Sequence, residues 1–316
     1  MFESFYGLKA APFQLSPDPS FYFESRGHGH ALAYLKFGVY QQEGFIVVTG
    51  EIGAGKTTLV RTLLQGLDPD QVVAAQVVNT QLNEGELLAS ICNAFGVPVQ
   101  GTSKAQLVST LEAFFTVVAA EGRRALLVVD EAQNLGRREI EELRMLSNFQ
   151  LGNHALLQSF LVGQPELRHM LGSASMEQLR QRVIASCHLG PLMQDETQAY
   201  VQHRLRHAGW DETPIFDEGA FAKIFEFSGG IPRRINLLCS RALLAGFLAS
   251  QRLIDAGVVT STAEDLQAEL GPSRVAGQPC GAGEERRQHR ARRAPSGGPG
   301  EPFLEDPGRG DRKSVV

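Results

Sequence analysis

The sequence predicts an α/β fold in which a parallel five-stranded sheet is sandwiched by helices and is followed by a small all-α lid domain. Three observations predict it. Five short apolar, β-rich runs alternate with amphipathic helical stretches between residues 45 and 189. Only helical patterns follow from residue 195. A glycine-rich loop lies directly after the first predicted strand and directly before a helix, an order typical of α/β sheets that bind phosphate.

The predicted elements follow one another in the order that a parallel sheet covered on both faces requires. Asp195 and Asp217 are the predicted N-caps of the first two lid helices. The patterns divide the chain into an α/β domain with an N-terminal extension (1–192), a helical lid (193–270) and a tail (271–316). Strands are predicted at 45–49, 72–78, 125–129, 156–162 and 183–189. Helices are predicted at 57–67, 84–95, 104–120, 138–148, 196–208, 217–227, 232–250 and 262–270.

Composition describes a soluble globular protein with a tail of different character. The 316 residues are 43% hydrophobic and 21% charged, with 30 Lys and Arg against 35 Asp and Glu. Nine of the bases and six of the acids lie in 271–316, which leaves a body of net charge −8 and a tail of +3. An acidic body argues against broad binding to DNA or RNA, so we find no strong nucleic-acid signal. The Gly/Pro/Arg-rich tail has few bulky apolar residues, and we predict that it is disordered.

The apolar runs predict neither a secretory signal nor a membrane span. The first residues carry Glu3 and no basic stretch. The longest strongly apolar helical run, 242–249, is far too short to cross a bilayer. We therefore expect a cytoplasmic protein with no transmembrane segment. The four cysteines lack metal-ligand spacing, which favours buried reduced thiols over zinc or disulfides at Cys92, Cys187, Cys239 and Cys280.

The glycine-rich loop fits the phosphate-binding pattern G-x-x-x-x-G-K-[ST] in full. Its glycines let backbone N–H groups and the helix N-terminus face an anion. Lys56 would supply charge to the β- and γ-phosphates of a nucleotide, and the Thr57 hydroxyl can ligate Mg²⁺. A glycine turn without a ligand is the weaker alternative, because a second motif lies where a nucleotide site needs it. We expect the nucleotide to contact Gly50, Gly53, Ala54, Gly55, Lys56, Thr57 and Thr58.

That second motif is a pair of carboxylates, Asp130 and Glu131, directly after the apolar run 126–129. The carboxyl end of a strand is where α/β sheets bind ligands. Asp130 would hold Mg²⁺ through water, and Glu131 would polarise the attacking water. Alone, the pair is often only the acidic start of a helix. Together with a full phosphate loop, it favours nucleotide hydrolysis.

Two further residues are candidates for sensing the γ-phosphate. Gln164 follows the fourth predicted strand and could hydrogen-bond the attacking water; a loop amide that caps backbone groups is nearly as good an interpretation. Arg233 lies beside Arg234 at the start of a lid helix, where positive charge opposes the helix dipole. A nucleotide phosphate is its natural partner, and pairing with nearby acids is the alternative.

Arg182, directly before the last predicted strand, could reach into a neighbouring subunit and stabilise charge in the transition state. A surface salt bridge is the alternative. His28 and His30 precede the first strand and could border a nucleobase, but the sequence favours solvent-exposed loop histidines.

Taken together, the phosphate loop, the Asp-Glu pair, a polar residue after the next strand, an arginine before the last strand and Gly-x-Pro-Arg in a helical lid resemble the AAA+ P-loop ATPases. Within them the chain resembles the ExeA/GspA-like putative secretion ATPases, and most of all the branch associated with XrtA exosortase/PEP-CTERM systems. The resemblance covers residues 1 to about 270. It is carried by 5–8, 12–13, 16–19, 43–59, 129–135, 142–150, 163–167, 178–185, 203–205 and 229–236.

The resemblance implies an ATPase at the cytoplasmic face of the inner membrane, peripheral to it, that serves export of protein or exopolysaccharide. It implies ATP and Mg²⁺ as ligands, and a homo-oligomer, either a ring or a nucleotide-dependent dimer, that works with inner-membrane export machinery. Lys56, Thr57, Asp130 and Glu131 take the Walker roles. Sensor 1 falls on Gln164, where many AAA+ proteins have Asn or Thr, the arginine finger on Arg182 and sensor 2 on Arg233. ExeA-type proteins continue into a transmembrane and peptidoglycan-binding region without counterpart in this sequence, so we expect no direct binding to the cell wall.

Three classes of function are compatible with these features. The leading hypothesis is an Mg-dependent ATPase that drives or regulates envelope export. A low-turnover ATP-sensing scaffold is the second, and complete Walker carboxylates argue against it. The third is a DNA-acting ATPase of the transposition-helper kind, which the acidic body disfavours. A metabolite kinase is disfavoured because no acceptor-binding segment is evident.

Overall fold

A computed structural model describes residues 2–16, 18–78, 80–99 and 103–270. Its centre is a five-stranded parallel sheet in the order β2-β3-β6-β1-β7. These strands are β1 (Phe45–Gly50), β2 (Val72–Val77), β3 (Arg124–Val129), β6 (Leu157–Gly163) and β7 (Val183–Leu189). All five lie at the predicted positions, to within one or two residues at each end.

The sheet is buried on both faces because its strands direct alternate apolar side chains to opposite sides. In β1, Phe45 and Val47 belong to one apolar cluster, and Ile46 and Val48 belong to a second cluster on the other face. The first cluster is covered by α4 (Glu84–Ala94), α5 (Lys104–Ala120) and α6 (Arg137–Leu146), and the second by α2 (Arg26–Gln41) and α3 (Lys56–Gln65). This arrangement brings the carboxyl ends of the strands to one edge of the sheet.

The α-helices of the described residues include all eight that were predicted and four that were not. Their bounds are α1 (Phe2–Phe5), α2 (Arg26–Gln41), α3 (Lys56–Gln65), α4 (Glu84–Ala94), α5 (Lys104–Ala120), α6 (Arg137–Leu146), α7 (Pro165–Leu171), α8 (Glu177–Arg180), α9 (Gln194–His207), α10 (Glu218–Ser228), α11 (Pro232–Leu248) and α12 (Ala256–Leu270). The four that were not predicted are α1, α2, α7 and α8. Helix α2, whose first residues were expected to form a loop, packs on β7 and α3. Its N-cap is Ser25, whose side chain accepts the N–H of His28.

Two predicted helix starts in the lid are wrong. Asp195 is not the N-cap of α9: that position belongs to Met193, whose N–H donates to the Glu196 carboxylate at 3.1 Å. Asp195 lies in the first turn, where its charge suits the helix dipole. Helix α12 begins six residues before the predicted position, because Asp255 Oδ1 accepts the Val258 N–H at 2.9 Å. Asp217 caps α10 as predicted.

The lid helices enclose a third apolar cluster, which also contains residues from the N-terminus. Tyr6 is 1% exposed, and its hydroxyl donates to the carbonyl of Leu243 in α11 at 3.1 Å. Leu8 and Phe13 are buried in the same cluster. The lid is not purely helical, since two short parallel strands, β8 (Ile215–Phe216) and β9 (Leu253–Ile254), pair within it. A further short hairpin, β4 (Gln150–Leu151) and β5 (His154–Ala155), precedes β6.

Three smaller expectations can be compared with the structure. Cys92 and Cys239 are buried free thiols and Cys187 is a partly buried one, whereas Cys280 lies outside the described residues. The predicted tail, 271–316, also lies outside them. None of the helices in the described part of the chain is long and apolar enough to span a membrane.

Candidate nucleotide-binding site

The phosphate loop connects the carboxyl end of β1 to the first residue of α3. Gly53 and Gly55 have φ angles of +83° and +97°, a region that side chains other than glycine rarely adopt. A Cβ on Gly53 would also lie 2.4 Å from the Cβ of Arg233. The loop therefore needs these glycines both for its curvature and for the close approach of the lid.

Lys56 is held beneath this loop. Its side chain is 7% exposed, and its ammonium donates to the carbonyls of Gly50 at 2.7 Å and Glu51 at 3.0 Å. Burial lowers the pKa of Lys56, and the carboxylates of Glu131 and Asp130 oppose that effect. A fixed cation at a helix N-terminus, below a loop rich in N–H groups, fits a phosphate anion.

Thr57 and Asp130 bring two oxygen ligands together. The Thr57 hydroxyl donates to Asp130 Oδ2 at 3.2 Å, and Asp130 Oδ1 accepts the Glu131 N–H at 2.9 Å. Burial raises the pKa of Asp130, and the Glu131 carboxylate adds to the effect. In the described residues no cluster of three or more His, Cys, Asp or Glu could cage a metal ion. One hydroxyl and one carboxylate fit Mg²⁺, which completes its octahedron with water and substrate phosphate.

Glu131 occupies a left-handed backbone conformation, with φ +51°. Its Oε2 accepts hydrogen bonds from Gln133 Nε2 at 2.5 Å and from Gln164 Nε2 at 3.1 Å. Burial would raise the pKa of Glu131, but these two donors and the Lys56 charge bring that pKa below its ordinary value. Glu131 is therefore an oriented, ionised carboxylate at neutral pH.

Two residues that sequence reasoning missed fix this carboxylate. Gln133 contacts both partners, because its Oε1 also accepts the Gln164 N–H at 3.0 Å. Thr80 is 2% exposed and donates to the Glu131 carbonyl at 2.9 Å, which holds the unusual backbone turn. An amide two residues after the Asp-Glu pair was visible in the sequence, but only the left-handed turn makes it point back.

Arg233 brings the lid to the phosphate loop. Its backbone N–H donates to the Gly53 carbonyl at 3.2 Å, and its methylenes lie over Gly53. Pro232 occupies the first position of α11, as its sequence position indicated. The Arg233 side chain is exposed and lines the cleft above the loop.

Arg182 is not among the residues that line this cleft in the described chain. Its guanidinium donates to Ser147 Oγ at 2.9 Å, at the end of α6. The sequence-predicted residues thus fall into two groups. One group lies together: the residues of the phosphate loop, Asp130, Glu131, Gln164 and Arg233. Arg182 lies apart from it, with its guanidinium at the end of α6.

The cleft itself has a volume of about 210 Å³ and lies between the phosphate loop, the lid and the segment before α2. Arg204 of α9 closes part of it; its guanidinium lies 5.0 Å from the Phe21 ring centroid and 5.5 Å from that of Tyr200. The expectation of two exposed loop histidines is wrong for the loop, since both His28 and His30 lie within α2. It is also wrong for the exposure of His28, which is 6% exposed and contacts the phosphate loop, whereas His30 is exposed as expected.

Comparison with known proteins identifies the core. Residues 39–171 match a family model described as an AAA domain. This part of the chain, from α2 to α7, is therefore similar to an AAA domain. Over 267 residues, 84% of the chain, it is also 41% identical to general secretion pathway protein A of Aeromonas hydrophila. The matched part is 48% of that protein, so the chain spans about half of its length.

Solved structures are similar to the α/β domain together with its lid. The Aeropyrum pernix ORC2 protein, in ADPNP-ADP complexes, matches with a TM-score of 0.59 and 18% identity over 79% of this chain and 72% of its own. CDC6P from Pyrobaculum aerophilum matches with a TM-score of 0.61 and 16% identity over 83% and 70%. At these identities the similarity shows the fold alone. The predicted AAA+ P-loop fold is thereby confirmed.

Proposed function

We propose that this protein is an Mg-dependent AAA+ ATPase of the GspA/ExeA-like kind, which binds and hydrolyses ATP to drive or regulate an envelope export system. The observation that carries the proposal is the Glu131 carboxylate. Gln133 and Gln164 hold it at the edge of the sheet where Lys56 and Asp130 also lie. A scaffold that only binds nucleotide has no need of an oriented base at this position. The identity to general secretion pathway protein A supports the link to secretion.

The residues divide the work of hydrolysis between them. Lys56 and the loop N–H groups bind and orient the phosphates. Thr57 and Asp130 would hold Mg²⁺, which supplies charge neutralisation at the phosphate oxygens. Glu131 takes a hydrogen bond from the attacking water and draws off its proton. Gln164 keeps Glu131 aimed at that water, and Arg233 places a lid cation above the loop.

The kind of export system is proposed from the resemblance of the sequence to known families. We propose an XrtA exosortase/PEP-CTERM-associated system, with protein or exopolysaccharide as the exported material. The protein would act as a homo-oligomer at the cytoplasmic face of the inner membrane, bound to an export component. Its site residues would be Gly50, Gly53, Ala54, Gly55, Lys56, Thr57 and Thr58 for ATP and Arg182 for the neighbouring subunit.

ATP turnover by the purified protein tests the proposal. Wild type with ATP and Mg²⁺ should release phosphate, and EDTA should stop it. Glu131→Gln should bind ATP and retain it, because the site keeps its shape but loses the base. Phosphate release at the wild-type rate in this variant would rule out Glu131 as the base. Binding without turnover in the wild type would favour an ATP-sensing scaffold.

A further inference from the structure

His28 lies at the junction of α2 and the phosphate loop, with both ring nitrogens in hydrogen-bond contact. Nδ1 lies 2.8 Å from Ser25 Oγ, and Nε2 lies 3.0 Å from the carbonyl oxygen of Ala54. Both partners are buried, with Ser25 5% and Ala54 1% exposed. A histidine in this position contacts no part of the Asp130 and Glu131 cluster, and the hydrolysis mechanism above does not use it.

The partners determine the tautomer. A carbonyl oxygen only accepts, so Nε2 carries the hydrogen that it shares with Ala54. The Ser25 hydroxyl then donates to Nδ1, while its oxygen accepts the His28 N–H at 3.2 Å. Burial favours this neutral form, since it lowers the pKa of His28. The Ser25 hydroxyl, both ring nitrogens of His28 and the Ala54 carbonyl therefore all have hydrogen-bond partners.

The Ala54 carbonyl controls the direction of a phosphate-binding group. A loop that binds an anion through its N–H groups has to turn its carbonyls outward. In a planar trans peptide, the carbonyl of Ala54 and the N–H of Gly55 point in opposite directions. A hydrogen bond that holds the Ala54 oxygen towards His28 therefore holds the Gly55 N–H away from His28.

The imidazole of His28 approaches the phosphate loop closely at Gly55. A Cβ at this position would lie 2.9 Å from His28 Nε2. The glycine thus leaves room for the ring as well as for its own left-handed backbone.

We infer that His28 is a positioning residue for phosphate binding: it donates to the Ala54 carbonyl and so presets the peptide that directs the Gly55 N–H to the nucleotide. The inference rests on the proposed ATP-binding function. His28 also lines the cleft, and in this scheme its effect on phosphate binding passes through the peptide plane between Ala54 and Gly55. If His28 only filled space, leucine at this position would leave ATP binding unchanged.

Binding of ATP to the full chain with Mg²⁺, measured by titration calorimetry, tests this directly. His28→Leu removes the donor, leaves a buried carbonyl unpaired, and should weaken ATP binding about 10-fold or more. His28→Gln places an amide N–H near the position of Nε2 and should recover affinity to within about 3-fold of wild type. The matched control is His30→Leu, on the exposed face of the same helix, which should bind ATP like wild type.

The outcomes separate the inference from the proposed function. No ATP binding by wild type would overturn the proposed function itself. Wild-type affinity in His28→Leu would overturn only the role of His28, as would equal losses in the Leu and Gln variants. If His28→Leu fails to fold, the ¹⁵N-imidazole spectrum of wild type decides: a neutral ring protonated at Nε2 supports the inference, and protonation at Nδ1 alone contradicts it.

Discussion

The backbone N–H of Phe45 donates to the carbonyl of Arg182 at 2.9 Å, at the amino end of β1. Lys56 lies beyond the other end of the same strand. The six residues of β1 separate its two ends by roughly 17 Å. Arg182 therefore lies at the opposite end of β1 from its own phosphate loop, and its guanidinium donates to Ser147 Oγ there.

We predict that Arg182→Ala binds ATP normally and hydrolyses it poorly. Fingers supplied by a neighbour contribute on the order of 10³-fold to turnover. Mixing this variant with Glu131→Gln should restore part of the activity, since some interfaces then pair an intact carboxylate with an intact arginine. Arg180→Ala, an exposed arginine of α8, is the control. No recovery in verified mixed assemblies would place the effect of Arg182 within its own subunit.

Lys56→Ala should weaken ATP binding by roughly 10-fold to 100-fold, because the loop N–H groups would meet the phosphates without the buried cation. Titration calorimetry with ATP and Mg²⁺ measures the loss. Lys36→Ala removes an exposed lysine from α2 and should have no effect. Unchanged affinity in Lys56→Ala would refute the phosphate-loop assignment.

Gln164→Ala should lower kcat on the order of 10-fold to 100-fold with little change in KM, because Glu131 loses one of the two donors that orient it. Gln133→Ala should act in the same direction. The double variant should fall by less than the product of the two losses, since both amides hold the same oxygen. Strict multiplication of the effects would show that they work independently. Gln178→Ala, an exposed glutamine, is the matched control.

Folding stability should decrease as the pH falls through 6.5, the ordinary pKa of histidine. Burial holds the pKa of His28 below that value in the folded state, and burial does the same for His203. The unfolded chain then binds protons that the folded chain does not, so acid favours unfolding. Urea unfolding at pH 7.5 and pH 5.5 measures the slope. His28→Gln should reduce it, and an unchanged slope would mean that His28 contributes nothing to it.

Gly230→Ala should destabilise the protein more than Gly229→Ala. Both glycines have positive φ, so each alanine costs about 1 kcal/mol of backbone strain. Only at Gly230 would the new Cβ meet a backbone atom, 2.0 Å from the Leu192 carbonyl oxygen. We expect an additional loss of at least about 1 kcal/mol there, from urea unfolding. Equal losses would mean that the segment at Leu192 moves aside freely.

Features carried by contiguous residues were predictable from the sequence. The phosphate loop and the Asp130–Glu131 pair each occupy a few consecutive positions next to a strand. Helix α2 was missed because Gly27 and Gly29 in its first turn resemble a loop. The structure shows why glycine suits position 29: a Cβ on Gly29 would lie 3.0 Å from the Glu24 carboxylate.

Contacts between distant segments could not be predicted in this way. The role of Gln133 depends on the left-handed turn at Glu131, and that turn depends on Thr80, fifty-one positions earlier. Arg26 of α2 forms ion pairs with Asp195 and Glu196 of α9, which no local pattern indicates. Such pairings follow from the assembled fold.

The burial of Tyr6 among the lid helices makes the beginning of the chain and the lid a single mechanical piece. The segment that follows also contacts the lid, since the Gln14 carbonyl accepts hydrogen bonds from Arg204 and Asn236 at 3.2 Å each and the Phe23 ring packs on Tyr200. A lid that moved relative to the phosphate loop would have to carry these residues with it. A cut between Phe23 and α2 would leave the N-terminal peptide bound to the lid without a covalent link to α2. A shortened protein that began at α2 would expose the apolar hollow that Tyr6, Leu8 and Phe13 fill.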